Sequence, residues 1–199
     1  ILDRAGIFTN KLLFYLPLEG NGNDESVNGN NATMGSAVTY ANAKYGKGGV
    51  FSYTQGSNFT SADKVFEYSS ETAYTIAFWL KVSDYATRGD IIQATSGRTL
   101  LYSNGPDLSF RSSHQKRTIS FNVDNDEKDD WFHVALVIDQ REGQREHKFY
   151  VNGEQRGSIA QYDEFETGKT KGVGKLIFGS FSATQVVRNF TGMLDEVYM

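Results

Sequence analysis

Two stretches of the chain alternate apolar and mixed positions with the period of two that a half-buried β-strand requires. In Tyr74–Val82, Ile76, Phe78, Leu80 and Val82 share one face, while Thr75, Ala77, Trp79 and Lys81 share the other. In Phe132–Ile138, Phe132, Val134, Leu136 and Ile138 fall together in the same way. Strands of this kind suit the middle of a packed sheet. Shorter candidates lie at Val38–Tyr40, Gly49–Tyr53, Asp90–Ala94, Arg98–Ser103, Leu108–Ser112, Thr118–Val123 and Lys175–Phe178, separated by Gly, Asn and Ser turns. Lys148–Val151 runs into Asn152-Gly153, a strong hairpin signal because both residues tolerate positive φ. Lys11–Leu18 reads as an apolar strand, followed by a polar loop dense in Gly and Asn that reaches Asn31. Helical periodicity is nearly absent, and roughly a dozen short strands between turns predict an all-β sandwich or barrel.

The last strand, Gly192–Tyr198, holds an anomaly. Strict alternation puts Met193, Asp195, Val197 and Met199 on one face. A carboxylate on an apolar face is expensive unless it is paired, hydrogen-bonded or bound to a metal.

Composition narrows the function. The 199 residues suit one domain, and the 14 Phe, 11 Tyr and 20 Gly against 2 Pro fit strands joined by tight turns. A net charge of −4 without a basic block argues against nucleic acid. No apolar run approaches the ~18 residues a membrane helix needs, so no membrane insertion is expected. With no Cys, disulfides, thiolate nucleophiles and thiolate zinc sites are all excluded. The chain opens on Ile1, as expected of a processed product or an excised domain, with residues 1–10 a lead-in to a domain spanning 11–199.

Five features in order carry a resemblance. They are the loop with Asp24-x-Ser26 and Asn28-Gly-Asn30, then Tyr74-Thr-Ile-Ala-Phe-Trp79, then Trp131-Phe-His-Val-Ala135, then Tyr150-Val-Asn-Gly-Glu154, and finally Gly192-Met-Leu-Asp-Glu-Val197. Together they resemble the laminin G-like, concanavalin A-like lectin/glucanase domains over nearly the whole chain. The resemblance implies a two-sheet antiparallel jelly-roll β-sandwich that binds glycans or proteins and often carries one structural calcium. It matches the family's calcium acids to Asp24 and Asp195, with carbonyls near Gly20, Asn21 and Asn30 as further ligands. The residues alone also allow Asp24 to cap a turn and Asp195 to accept backbone or Arg hydrogen bonds. The acidic run Asp124, Asp126, Asp129 and Asp130 reads as a solvated hairpin end, and His133 as structural; His114 and His147 have no partner at metal-binding spacing.

Related glucanases carry Glu-x-Asp-x-x-Glu on one strand, and the nearest stretch here, Glu127–Phe132, lacks the last acid. No hydrolase elbow or phosphate loop occurs either, so the domain is expected to be noncatalytic. Glycan recognition needs aromatic faces for sugar C–H groups and planar polar groups for hydroxyls. Gln93, Arg98, Tyr102, Arg111 and Arg117 are the candidates, with Tyr40 and Tyr53 further back. The basic stretch Ser112–Arg117 reads either as a solvated turn or as a contact for an acidic sugar. The expectation is a lectin-like carbohydrate-binding module of an extracellular, cell-surface or virion protein, in adhesion or attached to a glycan-degrading enzyme. Its partner would be a glycan or cell-surface polysaccharide, or neighbouring domains of its own chain. The alternatives are a structural or protein-interaction domain without a sugar site, and a glycosidase whose two acids come from distant segments.

Overall fold

A computed structural model of the chain describes residues 12–63, 66–68, 73–94, 98–111, 118–123, 130–139, 141, 146–160, 172–186 and 188–199. The lead-in 1–10, Arg117, His114 and most of the acidic run at 124–130 lie outside the described residues. Every regular element described is a strand. The chain starts with β1 (Tyr15–Leu16), β2 (Thr33–Met34), β3 (Thr39–Asn42), β4 (Lys47–Phe51), β5 (Phe59–Thr60) and β6 (Phe66–Tyr68). The central strands are β7 (Ala73–Val82), β8 (Gly89–Ala94), β9 (Arg98–Asn104), β10 (Asp107–Arg111), β11 (Thr118–Asn122) and β12 (Phe132–Asp139). The chain closes with β13 (Glu146–Val151), β14 (Glu154–Ala160), β15 (Gly172–Gly174), β16 (Leu176–Phe178) and β17 (Gly192–Tyr198).

These strands form two large antiparallel sheets that do not close into a barrel, the sandwich that the sequence pattern and the resemblance imply. One sheet has the order β14-β13-β12-β7-β17-β4-β3, with β1 also paired to β17, and the other β11-β10-β9-β8-β16-β5-β2. β15 and β6 form a separate ribbon. The two strands with the clearest alternation, β7 and β12, are direct neighbours, with Leu80 opposite Phe132 and Phe78 opposite Val134. Their apolar faces meet Ile92, Leu101, Leu108, Phe110 and Phe178 of the other sheet in one buried core. Each such side chain contributes about 1.5–3 kcal/mol by leaving water.

The hairpin predicted at Asn152-Gly153 joins β13 to β14, and both residues take the positive φ it requires, 50° and 83°. Gly179, just after β16, shows a second use of glycine. Its φ is 91°, and an added Cβ would lie 2.5 Å from Cδ1 of Phe51 and 3.1 Å from the Ser57 carbonyl. Phe51 is wedged between Phe59 and Phe190, each 6.0 Å away, so its ring has nowhere to retreat. Gly179→Ala is expected to cost about 2 kcal/mol, read as a lower urea midpoint at unchanged slope.

Alternation fails in β17. Leu194 sits opposite Leu80 in the core and Asp195 opposite Trp79 on the outer face, but Tyr198 then faces Ala77 across a register shift. Glu196, at φ 52°, makes the shift. The expectation that Asp195 and Val197 share a face is therefore corrected: the bulge returns Val197 to the core and leaves Asp195 on the outside of the sheet.

Candidate functional site

The loop from Glu19 to Asn31 is organised by Asp24. Its Oδ1 accepts from the backbone N–H groups of Tyr15 and Ser26, both at 2.8 Å. Its Oδ2 accepts from the Ser26 hydroxyl at 2.8 Å and the Asn30 N–H at 2.6 Å. Four donors fill this carboxylate and tie the loop to β1. As it stands Asp24 has no oxygen to spare for a metal, and its arrangement is the turn-capping alternative. Asp24→Ala is expected to cost about 2 kcal/mol and to open the loop to proteolysis.

Asp195 is different. It is fully buried, and its Oδ2 accepts from the Tyr45 N–H at 2.8 Å. Its Oδ1 has no hydrogen-bond partner. Burial, with smaller contributions from the nearby charges of Glu196 and Glu19, pushes its pKa up to about 6. Glu19 does a parallel job, accepting from the Lys47 N–H at 3.0 Å, so two carboxylates hold the turn between β3 and β4. The first and last strands do pair, Tyr15 with Tyr198 and Leu16 with Val197. No group of three or more His, Asp or Glu among the described residues is placed to hold a metal ion. Near the carbonyls expected of Gly20, Asn21 and Asn30, two side chains are engaged within the loop and with the segment before β1: Asn21 Oδ1 accepts from the Asn23 N–H, and Asn30 donates its side-chain N–H to the Leu13 carbonyl.

On the same outer face Trp79 meets Tyr45 edge-on at 6.0 Å and His133 at 5.3 Å, with Lys44 Nζ 4.5 Å above its ring. His133 Nε2 is 3.0 Å from the Tyr198 hydroxyl, and burial holds the His133 pKa down. This aromatic strip is largely bonded to itself, which agrees with the structural role expected of His133.

The sugar-site candidates gather on the other sheet. Gln93 lies on β8, Arg98 and Tyr102 on β9 and Arg111 on β10, so four of the five share three adjacent strands. Because Phe110 pairs with Leu101 in the core, Tyr102 and Arg111 point to the outer face. Gln93 is only 3% exposed and its Oε1 has no partner, so it is not presented to solvent. Tyr40 packs against the core, whereas Tyr53 stands 51% exposed.

The chemistry of this face centres on a residue that sequence reasoning passed over. Asp90 sits opposite Tyr102 and is fully buried. Arg88 Nε lies 3.2 Å from its Oδ1 and Arg188 Nε 3.6 Å from its Oδ2. The Arg88 guanidinium stacks 4.2 Å over Tyr102, and that of Arg188 lies 3.8 Å over Phe181. Beside them, the loop at 52–58 meets the loop at 181–189: Asn189 Nδ2 donates to the Thr54 carbonyl at 2.8 Å and Gln55 Nε2 to that of Thr184 at 3.3 Å. The result is an aromatic–arginine cluster with the exposed Tyr53 on a rim loop. Its two arginines stand a hundred positions apart, and no local motif announces them.

Two antiparallel sheets packed face to face define the class as an all-β sandwich. Within that class the chain belongs to the concanavalin A-like lectin/glucanase superfamily, whose profile matches residues 51–199. No curated protein matches in sequence. Among solved structures, the fold resembles the binding domain of Paraclostridial Mosquitocidal Protein 1, with a TM-score of 0.73 and 17% identity over 96% of this chain and 48% of that one. The botulinum neurotoxin type G receptor binding domain gives 0.67 and 16% over 94% and 47%. Domain 4 of AbnA, an extracellular GH43 arabinanase from Geobacillus stearothermophilus, in complex with arabinotriose, gives 0.64 and 19% over 94% and 91%. The chain thus spans about half the length of the two toxin domains and nearly all of the arabinanase domain. At these identities the likeness is one of fold.

Proposed function

We propose that this domain is a noncatalytic carbohydrate-binding module whose glycan lies on the outer face of the seven-stranded sheet. The observation that carries the reading is the cluster of Tyr102, Phe181, Arg88 and Arg188 around Asp90. It offers aromatic surface and planar N–H donors side by side, the pairing that sugar C–H faces and hydroxyls require. The arabinanase domain of the same fold, solved with a bound arabinotriose, gives the reading a precedent. Extracellular or cell-surface action follows from a glycan partner. Catalysis has little support: Asp195, the carboxyl with the raised pKa, is sealed from solvent, and Asp90 is engaged by two arginines.

Calcium enters this proposal only through Asp195, whose Oδ1 is buried and is the carboxylate oxygen of the expected pair that has no hydrogen-bond partner. Melting with added calcium tests it. A rise of several degrees that Asp195→Asn abolishes supports the metal; no rise refutes it.

A second reading, a structural domain packed on a neighbour, draws on the aromatic strip around Trp79. A glycan array read with and without chelator separates the two. Binding to one glycan class, weakened by Tyr102→Ala and not by Trp79→Ala, supports the module. Silence across the array from folded protein supports the structural domain.

A further inference from the structure

Asp90 carries one negative charge and is approached by two positive ones, so among the described residues the cluster holds an excess of one positive charge on a protein whose net charge is −4. One arginine would have sufficed to neutralise the buried carboxylate. Both guanidiniums face Asp90 through Nε, which leaves their Nη groups for other work. Arg88 Nη2 is itself buried and has no hydrogen-bond partner, an unsatisfied donor inside the cluster, and Arg188 donates no hydrogen bond among the described residues. Each side chain as a whole is about one-third exposed, at 31% and 32%, so a ligand reaches the edge of the pair and meets Arg88 Nη2 only by entering the cluster.

The two groups are also held in place before any ligand arrives. Each lies over an aromatic ring, which fixes its plane and reduces the entropy lost on binding. Arg188 adopts a φ of 52°, a strained conformation for a residue with a side chain. Its carbonyl accepts from the Asp90 N–H at 2.8 Å, and the Asn189 side chain anchors the next residue to Thr54. The fold thus maintains a strained backbone that keeps a second guanidinium beside one already sufficient for Asp90.

We infer that Arg88 and Arg188 form an anion-recognition pair that takes the carboxylate of an acidic sugar, so that the module prefers uronate- or sialate-bearing glycans over neutral ones. A carboxylate is planar and matches a guanidinium fork in two parallel hydrogen bonds. It also supplies the one negative charge that brings the cluster to balance. This inference rests on the carbohydrate-binding reading and names the substrate class of the same site.

The test is calorimetric titration of the whole chain with oligosaccharides bearing glucuronate, galacturonate or N-acetylneuraminate, each beside its carboxyl-reduced counterpart. Arg88→Gln and Arg188→Gln are titrated in parallel. Each single variant leaves Asp90 one arginine, so the cluster stays neutral and the melting temperature serves as the check on folding. The expected result is an acidic ligand bound on the order of tenfold more tightly than its reduced form, weakening with salt, with that preference lost in either variant. Equal binding of acidic and reduced ligands overturns the inference and leaves the module standing, as does a preference that survives both substitutions. Absence of binding to every sugar, here and on the array, overturns both.

Discussion

Removing both arginines, in Arg88→Ala/Arg188→Ala, is expected to destabilise the domain by roughly 3–5 kcal/mol. Asp90 has no exposure to water, so its charge loses its solvation on folding and must be repaid by partners. With both gone, the carboxylate loses the two cations that face it among the described residues. The loss is expected to be smaller in acid, where Asp90 enters the folded protein neutral. Either single substitution leaves the other arginine in place and should cost much less than half of the double. Chemical denaturation of the three variants at two pH values checks this, and additive single effects would show that the arginines do not share Asp90.

Asp195→Asn is expected to act in the opposite direction. A carboxyl whose pKa is raised to about 6 by folding binds its proton more tightly in the folded state than in the unfolded one. Stability from this group is therefore greatest when it is protonated, falls as pH rises from about 4 to about 6, and is flat above. At neutral pH the buried charge costs up to roughly 3 kcal/mol. Asparagine keeps an acceptor for the Tyr45 N–H and carries no charge. The variant should gain about 1–3 kcal/mol at pH 7 and lose the slope between pH 4 and 6 that the unaltered protein shows. A variant that is less stable at pH 7 would mean that the charge is compensated, and a cation is the natural candidate.

The two acids of the expected calcium pair show what one sequence can and cannot display. A carboxylate embedded in β17 was visible as an anomaly because apolar neighbours surround it. Its face was not visible, because the bulge at Glu196 comes from backbone at φ 52° rather than from a residue type that signals a bulge. Lys11–Leu18 was similarly over-read as one long strand. The ladder there covers only Tyr15 and Leu16, since Pro17 has no N–H to donate and Leu18 turns the chain at φ 61°. β7, β12 and the Asn152-Gly153 hairpin were legible because local periodicity and turn chemistry agree with the fold. The sugar-site face was half legible. Tyr102 and Arg111 could be found on their strands, but Arg88 and Arg188 lie in segments that the fold brings together at the Asp90–Asn189 bridge. Such a pairing across a hundred residues leaves no mark on either segment alone.

The central claim is that a glycan binds on the outer face of the seven-stranded sheet. Mapping amide chemical shifts as the best array glycan is titrated in tests it most directly. The account requires the largest shifts in β8 to β10 around Asp90 and Tyr102, and in the loop at 181–189. Shifts concentrated at Trp79, His133 and Tyr198 instead would contradict it, and would move recognition to the opposite face of the sandwich.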